Sequence, residues 1–493
     1  MRVNMSCLMM LFLLGVSITA HAVESLMLLH DNTPKTAPSA QTLAVTSPAR
    51  PWRVLIDVRS IHSDGAHDLK TLIQLAKKRH LDVLSFNEHD RISIRFGLEP
   101  VPWLVYYSQN HSSLYETGLS AFFEALKQAR ATTSLTLMAG TESTPGYEWK
   151  GIPFKDLSLN NAERHIITLG ARTPEQIKAL PSYQLTHAHG LKSLSIVFWF
   201  AFVFLLVFIL LRKRKRSVAL LLAGSFIAFM SAWLMRPHTH ADQDFIHTAQ
   251  EQGLFTIWAH PGTLSGVRKG PMGVLLNTPP YNRYIFETPA DAFAAVYGDT
   301  DQNTAPGGLW DRYMMDYMRG YVGKPMWAVA AGDYHKEGEA NEFLGNFPMD
   351  VWAASQKEQD ILDALKRGHM TAWHMSRQHN LSVSTLSLTY TDPLTHEQKH
   401  MLPGDEASIA PDITLTIGLE ERGTPSSLQS LWGHWIIDGK IQQKIKLNIH
   451  DHTAQALTLS LPKGKHVIRF QIPYQHGVRL ETNPFLVNVR QES

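Results

Sequence analysis

Short apolar runs along this chain stop abruptly on ionisable residues. RVLID (53–57) reads as a strand ending on Asp57, and LKTLIQLAKKRH (69–80) repeats its apolar residues at helical spacing. LDVLSF (81–86) is a second strand, closed by Glu88, His89 and Asp90, so that the three elements form a βαβ unit. LTLMAGTE (135–142) is a strand ending on Glu142, and HIITLG (165–170) is a strand opening on His165. LFTIWAHPGT (254–263) ends on His260-Pro261, DAFAAVYG (291–298) follows, and MWAVAAGDYH (326–335) ends on Asp333 and His335. In α/β folds the carboxyl ends of parallel strands face the ligand crevice, so polar groups placed there are aimed at a ligand.

Two other patterns divide the chain. LSIVFWFAFVFLLVFILL (194–211) and SVALLLAGSFIAFMSAWLM (217–235) carry no charge, and each approaches the ~20 residues a helix needs to cross a bilayer core. The run RKRKR (212–216) between them predicts a transmembrane hairpin with its loop on the cytoplasmic side. From about residue 380 the chain changes to short alternating runs such as LSVSTLSLTYT, DITLTIGLE and HVIRFQIPY, separated by Gly, Pro, Asp and Asn, the pattern of an all-β sandwich.

The N-terminus has Arg2, an apolar LMMLFLLGVSI and then Ala20-His21-Ala22, which predicts a signal peptide over 1–22, and residues 23–50 read as a Thr/Ser/Pro/Ala linker. The only cysteine, Cys7, lies in that leader, so the mature chain has no disulfide. A hairpin returns the chain to the side it left. Residues 51–193 and 236–378 can therefore build one domain facing the periplasm or exterior, with 379–493 as the β-sandwich and 194–235 in the inner (cell) membrane.

Composition narrows the chemistry. The chain has 493 residues, 44% hydrophobic and 18% charged, with a formal charge of only +2. Five of its positive charges fall in RKRKR, which leaves no basic surface for a nucleic acid. Histidine, by contrast, occurs 25 times, and the strand-end set of His, Asp and Glu comprises the ligands that Zn, Mn or Fe ions accept.

The order of these motifs resembles the PHP (polymerase and histidinol phosphatase) metallohydrolases. The resemblance is carried by SDGAHDLKTLIQLAKKRHLDVLSFNEHD (63–90), GTE (140–142), His165, AHP (259–261), GDYH (332–335) and ILDALKRGHM (361–370), about two thirds of the chain. It implies a distorted (β/α)7 barrel, here interrupted by the hairpin, and two or three divalent metal ions (Zn, Mn or Fe). It implies that Glu142, His165 and His260 hold one metal, with Glu142 bridging, and that Asp64, His89 and His335 hold another. Asp333 completes the site shared with Glu142.

The chain also departs from the family pattern. Asp57-Val58-Arg59 stands where the family has His-x-His, and Glu88-His89 where it usually has Asp-His. Asp57 can still ligate, whereas Arg59 has no lone pair to offer. Its charge either occupies the space of the lost metal and clamps an anion such as phosphate, or the site is crippled. Glu148 competes with Glu142 for the bridging place, and the strand-end position favours Glu142. The expectation is a membrane-anchored phosphoesterase working through metal-activated water on a small-molecule or envelope-derived substrate, with Arg59, Glu88 and Asp333 in catalytic roles. The alternatives are hydrolysis of carboxyl esters or amides, and a catalytically inactive barrel that binds a ligand or partner.

Overall fold

A computed structural model of the chain describes residues 51–90, 95–97, 106–108, 112–151, 155–181, 240–262, 266–270, 274–297, 301–338, 343–423, 427–450 and 453–490. Seven strands run through the part of the chain before residue 330 that ends on the ionisable residues. They are β1 (Trp52–Val58), β2 (Val83–His89), β3 (Thr136–Ser143), β4 (Ile166–Leu169), β5 (Phe255–Trp258), β6 (Ala292–Ala294) and β7 (Trp327–Val329). They hydrogen-bond in the order β1-β2-β3-β4-β5-β6-β7. A single bridge, Val58 to Tyr334, returns the chain after β7 to β1. Arg59 N donates to Tyr334 O at 2.9 Å there, and Tyr334 N donates to Asp57 O at 3.0 Å. The ring therefore closes at the end where β1 finishes.

These strands are buried on both faces, as their near-continuous apolar sequences require. Helices cover the outside. The first, α1 (Leu69–Lys78), shows the reason for its own placement: Leu69, Leu72, Ile73 and Ala76 form one buried stripe, and Lys77 and Lys78 lie in its last turn. Asp68 caps it by accepting from Thr71 N at 2.8 Å, a contact worth about 1 kcal/mol. Four further helices, α2 (Leu119–Arg130), α3 (Ala241–Glu251), α4 (Leu309–Arg319) and α5 (Glu358–Arg367), each bury one apolar face in the same way.

One strand runs backwards. β4 is antiparallel to both neighbours, with Glu142 opposite Ile167 and Ile166 opposite Trp258, whereas β1-β2, β2-β3, β5-β6 and β6-β7 are parallel. The reversal puts the N-terminal end of β4 beside the C-terminal ends of the others. His165, which precedes β4, thus arrives at the face where the other strands stop.

The sheet continues past β1. β8 (Met349–Val351) pairs antiparallel with β1 and with β9 (Met370–Met375), and β9 pairs with Val478–Thr482. That strand belongs to an all-β region whose second sheet contains Leu381–Thr391 and Asp412–Glu421. Trp373, Leu386, Leu415, Trp435, Phe470 and Leu480 from the two sheets share one core.

This architecture corrects the expected fold class. Among the described residues it is a mixed α/β sheet running into an all-β region, with no two-helix transmembrane hairpin. Among the described residues no helix is long and apolar enough to cross a membrane. The longest, α2, has 12 residues. At ~1.5 Å per residue that is ~18 Å, against ~30 Å of bilayer hydrocarbon. The inner-membrane location with two transmembrane helices is corrected on the same ground. Residues 1–22, 23–50 and 194–235, on which the leader, linker and hairpin were expected, lie outside the described residues.

Candidate metal centre

Of the residues named from the sequence, Asp57, Asp64, His89, Glu142, His165, His260, Asp333 and His335 reach one region at the closed end of the ring. Three groups of potential ligand atoms form there, each within 4.8 Å: Asp64, His89 and His335; Glu142, His165 and His260; and Asp57, Glu142 and Asp333. Glu142 belongs to two of them and is fully buried. Its Oε1 lies 2.9 Å from His165 Nδ1 and 3.4 Å from His260 Nε2, while Oε2 lies 3.9 Å from His89 Nε2. One carboxylate thus stands between the two histidine groups. Asp64 Oδ2 is 3.3 Å from His335 Nε2 and 3.5 Å from His89 Nε2. The rings form a row, with centroids 5.1 Å apart for His165 and His260 and 5.6 Å for His89 and His165.

Backbone geometry marks the same place. Asp57, His260 and Asp333 have φ of 68°, 25° and 46°, in the left-handed region that side chains other than glycine rarely adopt. Such conformations persist where surrounding contacts over-determine them, and they cluster at functional sites. The contacts are present here: Asp333 N donates to Asp57 Oδ2 at 2.8 Å, and Asp57 N donates to Asn87 Oδ1 at 2.9 Å.

Burial sets the charge states. It lowers the pKa of His89 well below the usual value, and burial together with the neighbouring His260 ring lowers that of His165 to about 3. Burial also lowers His260. These rings are therefore neutral near pH 7, with a nitrogen lone pair available to a cation. His335 behaves differently. Although burial works against its charge, its hydrogen bond to Asp64 and the field of Asp333 raise its pKa to about 9. Its Nδ1 faces the backbone oxygen of Asp333 at 2.7 Å, which leaves Nε2 turned toward Asp64.

The donor set fits divalent metal ions. It offers imidazole nitrogens and carboxylate oxygens converging from different strands, the ligand chemistry of Zn, Mn and Fe sites. Asp64 Oδ1 is buried and accepts no hydrogen bond, the nearest cation being Arg59 Nε at 4.0 Å, so it retains acceptor capacity for a metal ion.

Several residues take places their sequence positions did not reveal. Arg59 is fully buried, and its donors meet Asp57, Asp333 and Glu142. Glu88 is also fully buried, but its carboxylate accepts from Ser60 N at 3.0 and 3.1 Å, from Ser60 Oγ at 2.5 Å and from Ser63 Oγ. It braces the loop that delivers Asp64 and belongs to none of the three ligand groups. Burial raises its pKa. Glu148 lies on a separate short strand, 3.1 Å from Lys150 Nζ, and is likewise in none of the groups. Asn87, which no sequence pattern singled out, donates to Thr168 O at 2.7 Å and so joins β2 to β4 beneath the site. A cleft of about 300 Å³ opens beside the histidines, lined by His165, His260, Asp333, Tyr281, Tyr297 and Arg268.

No protein-family model matches the chain, and no curated protein matches it. Solved structures that show a likeness include the following three. A two-domain protein containing a predicted PHP-like metal-dependent phosphoesterase, from Bacteroides vulgatus ATCC 8482, is 12% identical with a TM-score of 0.36, covering 93% of this chain and 100% of its own. A putative metal-dependent phosphoesterase from Bifidobacterium adolescentis ATCC 15703 is 15% identical with a TM-score of 0.31, covering 64% and 97%. An amidohydrolase from Chromobacterium violaceum, with bound sulfate and no metal, is 15% identical with a TM-score of 0.26, covering 58% and 88%. Likenesses this loose leave the functional reading to the geometry of the site.

Proposed function

We propose that this chain is a metal-dependent hydrolase acting on phosphoesters of small molecules. The observation that carries the reading is Glu142, a fully buried carboxylate with His165 and His260 on one oxygen and His89 facing the other. In this reading Glu142, His165 and His260 hold one ion, Asp64, His89 and His335 hold a second, and Glu142 stands between them. Held by these residues, divalent ions would supply Lewis acidity toward a phosphoryl oxygen and would lower the pKa of a water.

The protein's own groups prepare the rest. Asn87 positions Asp57 and ties β2 to β4. Glu88 holds the Ser60–Ser63 loop and with it Asp64. Asp333, at the cleft wall, is the acceptor for a proton from water; it is ionised because the charges of Arg59 and His335 outweigh burial, and that same lowering of its pKa makes it a weak base that needs an acidified water. A cleft of about 300 Å³ suits a small ester rather than a polymer.

The test is a metal analysis of the purified chain, followed by hydrolysis assays with p-nitrophenyl phosphate and bis-p-nitrophenyl phosphate. The reading expects bound Zn, Mn or Fe and turnover lost in His260→Ala. A chain that takes up no divalent ion, or turnover unchanged by His260→Ala, refutes it. Activity only on carboxyl-ester or amide substrates keeps the metal centre and overturns the phosphoester assignment.

A further inference from the structure

The third ligand group differs from the other two because a protein cation already stands in it. Asp57, Glu142 and Asp333 bring carboxylate oxygens within 4.8 Å of one another. Into that space Arg59 Nη1 donates to Asp57 Oδ1 at 2.8 Å and to Asn87 O, and Nη2 donates to Asp333 Oδ1 at 3.1 Å and lies against Glu142 Oε2. Nε is 4.0 Å from Asp64 Oδ1. The guanidinium therefore faces four carboxylates at once, and its side chain is 0% exposed.

Buried carboxylates cannot remain ionised together without compensating charge. A guanidinium compensates them permanently, because it stays protonated in proteins and its fork reaches Asp57, Asp333 and Glu142 together. Its planar donors are directed at protein oxygens, so they are not free to clamp a substrate phosphate.

We propose that Arg59 is a built-in cation occupying the place of a third metal ion, so that this chain loads two divalent ions and needs no more. The proposal rests on the metal-centre reading above, which assigns the two histidine groups to ions. Two consequences follow. The ions are confined to the Asp64/His89/His335 and Glu142/His165/His260 groups, and Arg59 acts by positioning and neutralising Asp57, Glu142 and Asp333 rather than by touching substrate. Replacing Arg59 with a small neutral side chain leaves three convergent carboxylates that a third divalent ion can satisfy.

The experiment counts ions by native mass spectrometry on the full chain saturated with Mn²⁺, for wild type, Arg59→Lys and Arg59→Ala. It also follows melting temperature during Mn²⁺ titration. Expected are two ions for wild type and for Arg59→Lys and three for Arg59→Ala. The melting temperature of metal-free Arg59→Ala is expected to fall below wild type and to recover as the third equivalent binds. Three ions in wild type overturn this proposal while leaving the metal-centre reading intact. Two ions in Arg59→Ala with no Mn²⁺-dependent recovery also overturn it. No ion in any variant overturns the metal-centre reading itself and the proposal with it. Should Arg59→Ala not fold at any Mn²⁺ concentration, the wild-type and Arg59→Lys counts decide, two in each supporting the proposal and three in either overturning it.

Discussion

Gly140→Ala tests whether the spacing of β3 and β4 sets the metal centre. Gly140 lies opposite Leu169, two residues before Glu142 on the strand that presents it. A Cβ added there would lie 1.7 Å from Thr168 O and 2.7 Å from Asn87 Nδ2. Both neighbours are fixed, since Thr168 O is backbone and Asn87 Nδ2 donates to it at 2.7 Å. Real Cβ atoms essentially never approach closer than 3.0 Å, so from 1.7 Å the strands must open by about 1.3 Å. Forcing extra volume into a packed interior costs about 1–3 kcal/mol. The larger effect falls on the site. Glu142 and His165 are carried by the two separating strands, and metal–ligand distances tolerate only about 0.2 Å. Disturbing the support of metal ligands lowers affinity about 10- to 100-fold. A competition titration of Zn²⁺ or Mn²⁺ against a chromophoric chelator measures this, with calorimetric melting alongside. The expected result is a folded, somewhat destabilised protein whose weaker ion is released first by at least about 10-fold lower chelator competition. Gly140→Ala with wild-type affinity for both ions would show that the strand spacing does not set the site.

Other perturbations follow from the same packing. Dialysis against a chelator should abolish turnover and lower the melting temperature, and Mn²⁺ at 100 times its Kd should restore about 2.7 kcal/mol per ion; a melting temperature indifferent to chelator would contradict bound structural charge. Arg469 is buried between Asp311, at 2.6 and 2.9 Å, and Glu481, at 3.1 Å, joining α4 to the all-β region. Glu481 keeps Arg479 at 3.1 Å, but Arg469→Met leaves the buried Asp311 carboxylate with only the Gly307 N donor and should cost about 3–5 kcal/mol by urea denaturation; a loss under about 1 kcal/mol would mean that water or rearrangement replaces the arginine. His466 Nδ1 lies 2.7 Å from Asp438 Oδ2 and Nε2 lies 2.8 Å from Pro462 O, and the Asp438 contact, despite burial, raises the pKa of the ring. The charged ring is then the stabilised form, so its contribution is full below the unfolded-state pKa of about 6.5 and is lost as pH rises through the higher folded value. Melting curves across that interval should show the decline in wild type and lack it in His466→Gln.

The residues that converge on the site were legible because each one interrupts a local pattern. An apolar run ending on Asp57, His89, Glu142, His260 or Asp333 is visible within ten positions, and so is a strand opening on His165. The preference for Glu142 over Glu148 rested on the same signal, and the two residues do lie in different sheets. The apolar runs at 194–211 and 217–235, on which the hairpin was expected, lie outside the described residues, and among the described residues no helix is long and apolar enough to cross a membrane.

Whatever depends on pairing between distant segments was decided only by the tertiary structure. The reversed direction of β4, the bridge from Val58 to Tyr334 and the continuation of the sheet through β8 are hydrogen-bond choices between distant segments, and strand periodicity is the same for either direction. Arg59 shows the limit most plainly. Its sequence position revealed a missing ligand, but whether its charge faces substrate or protein depends on Asp333, 274 residues away, and on carboxylates from β1 and β3. A side chain's chemistry is local, whereas its electrostatic environment is the sum of groups that only folding brings together.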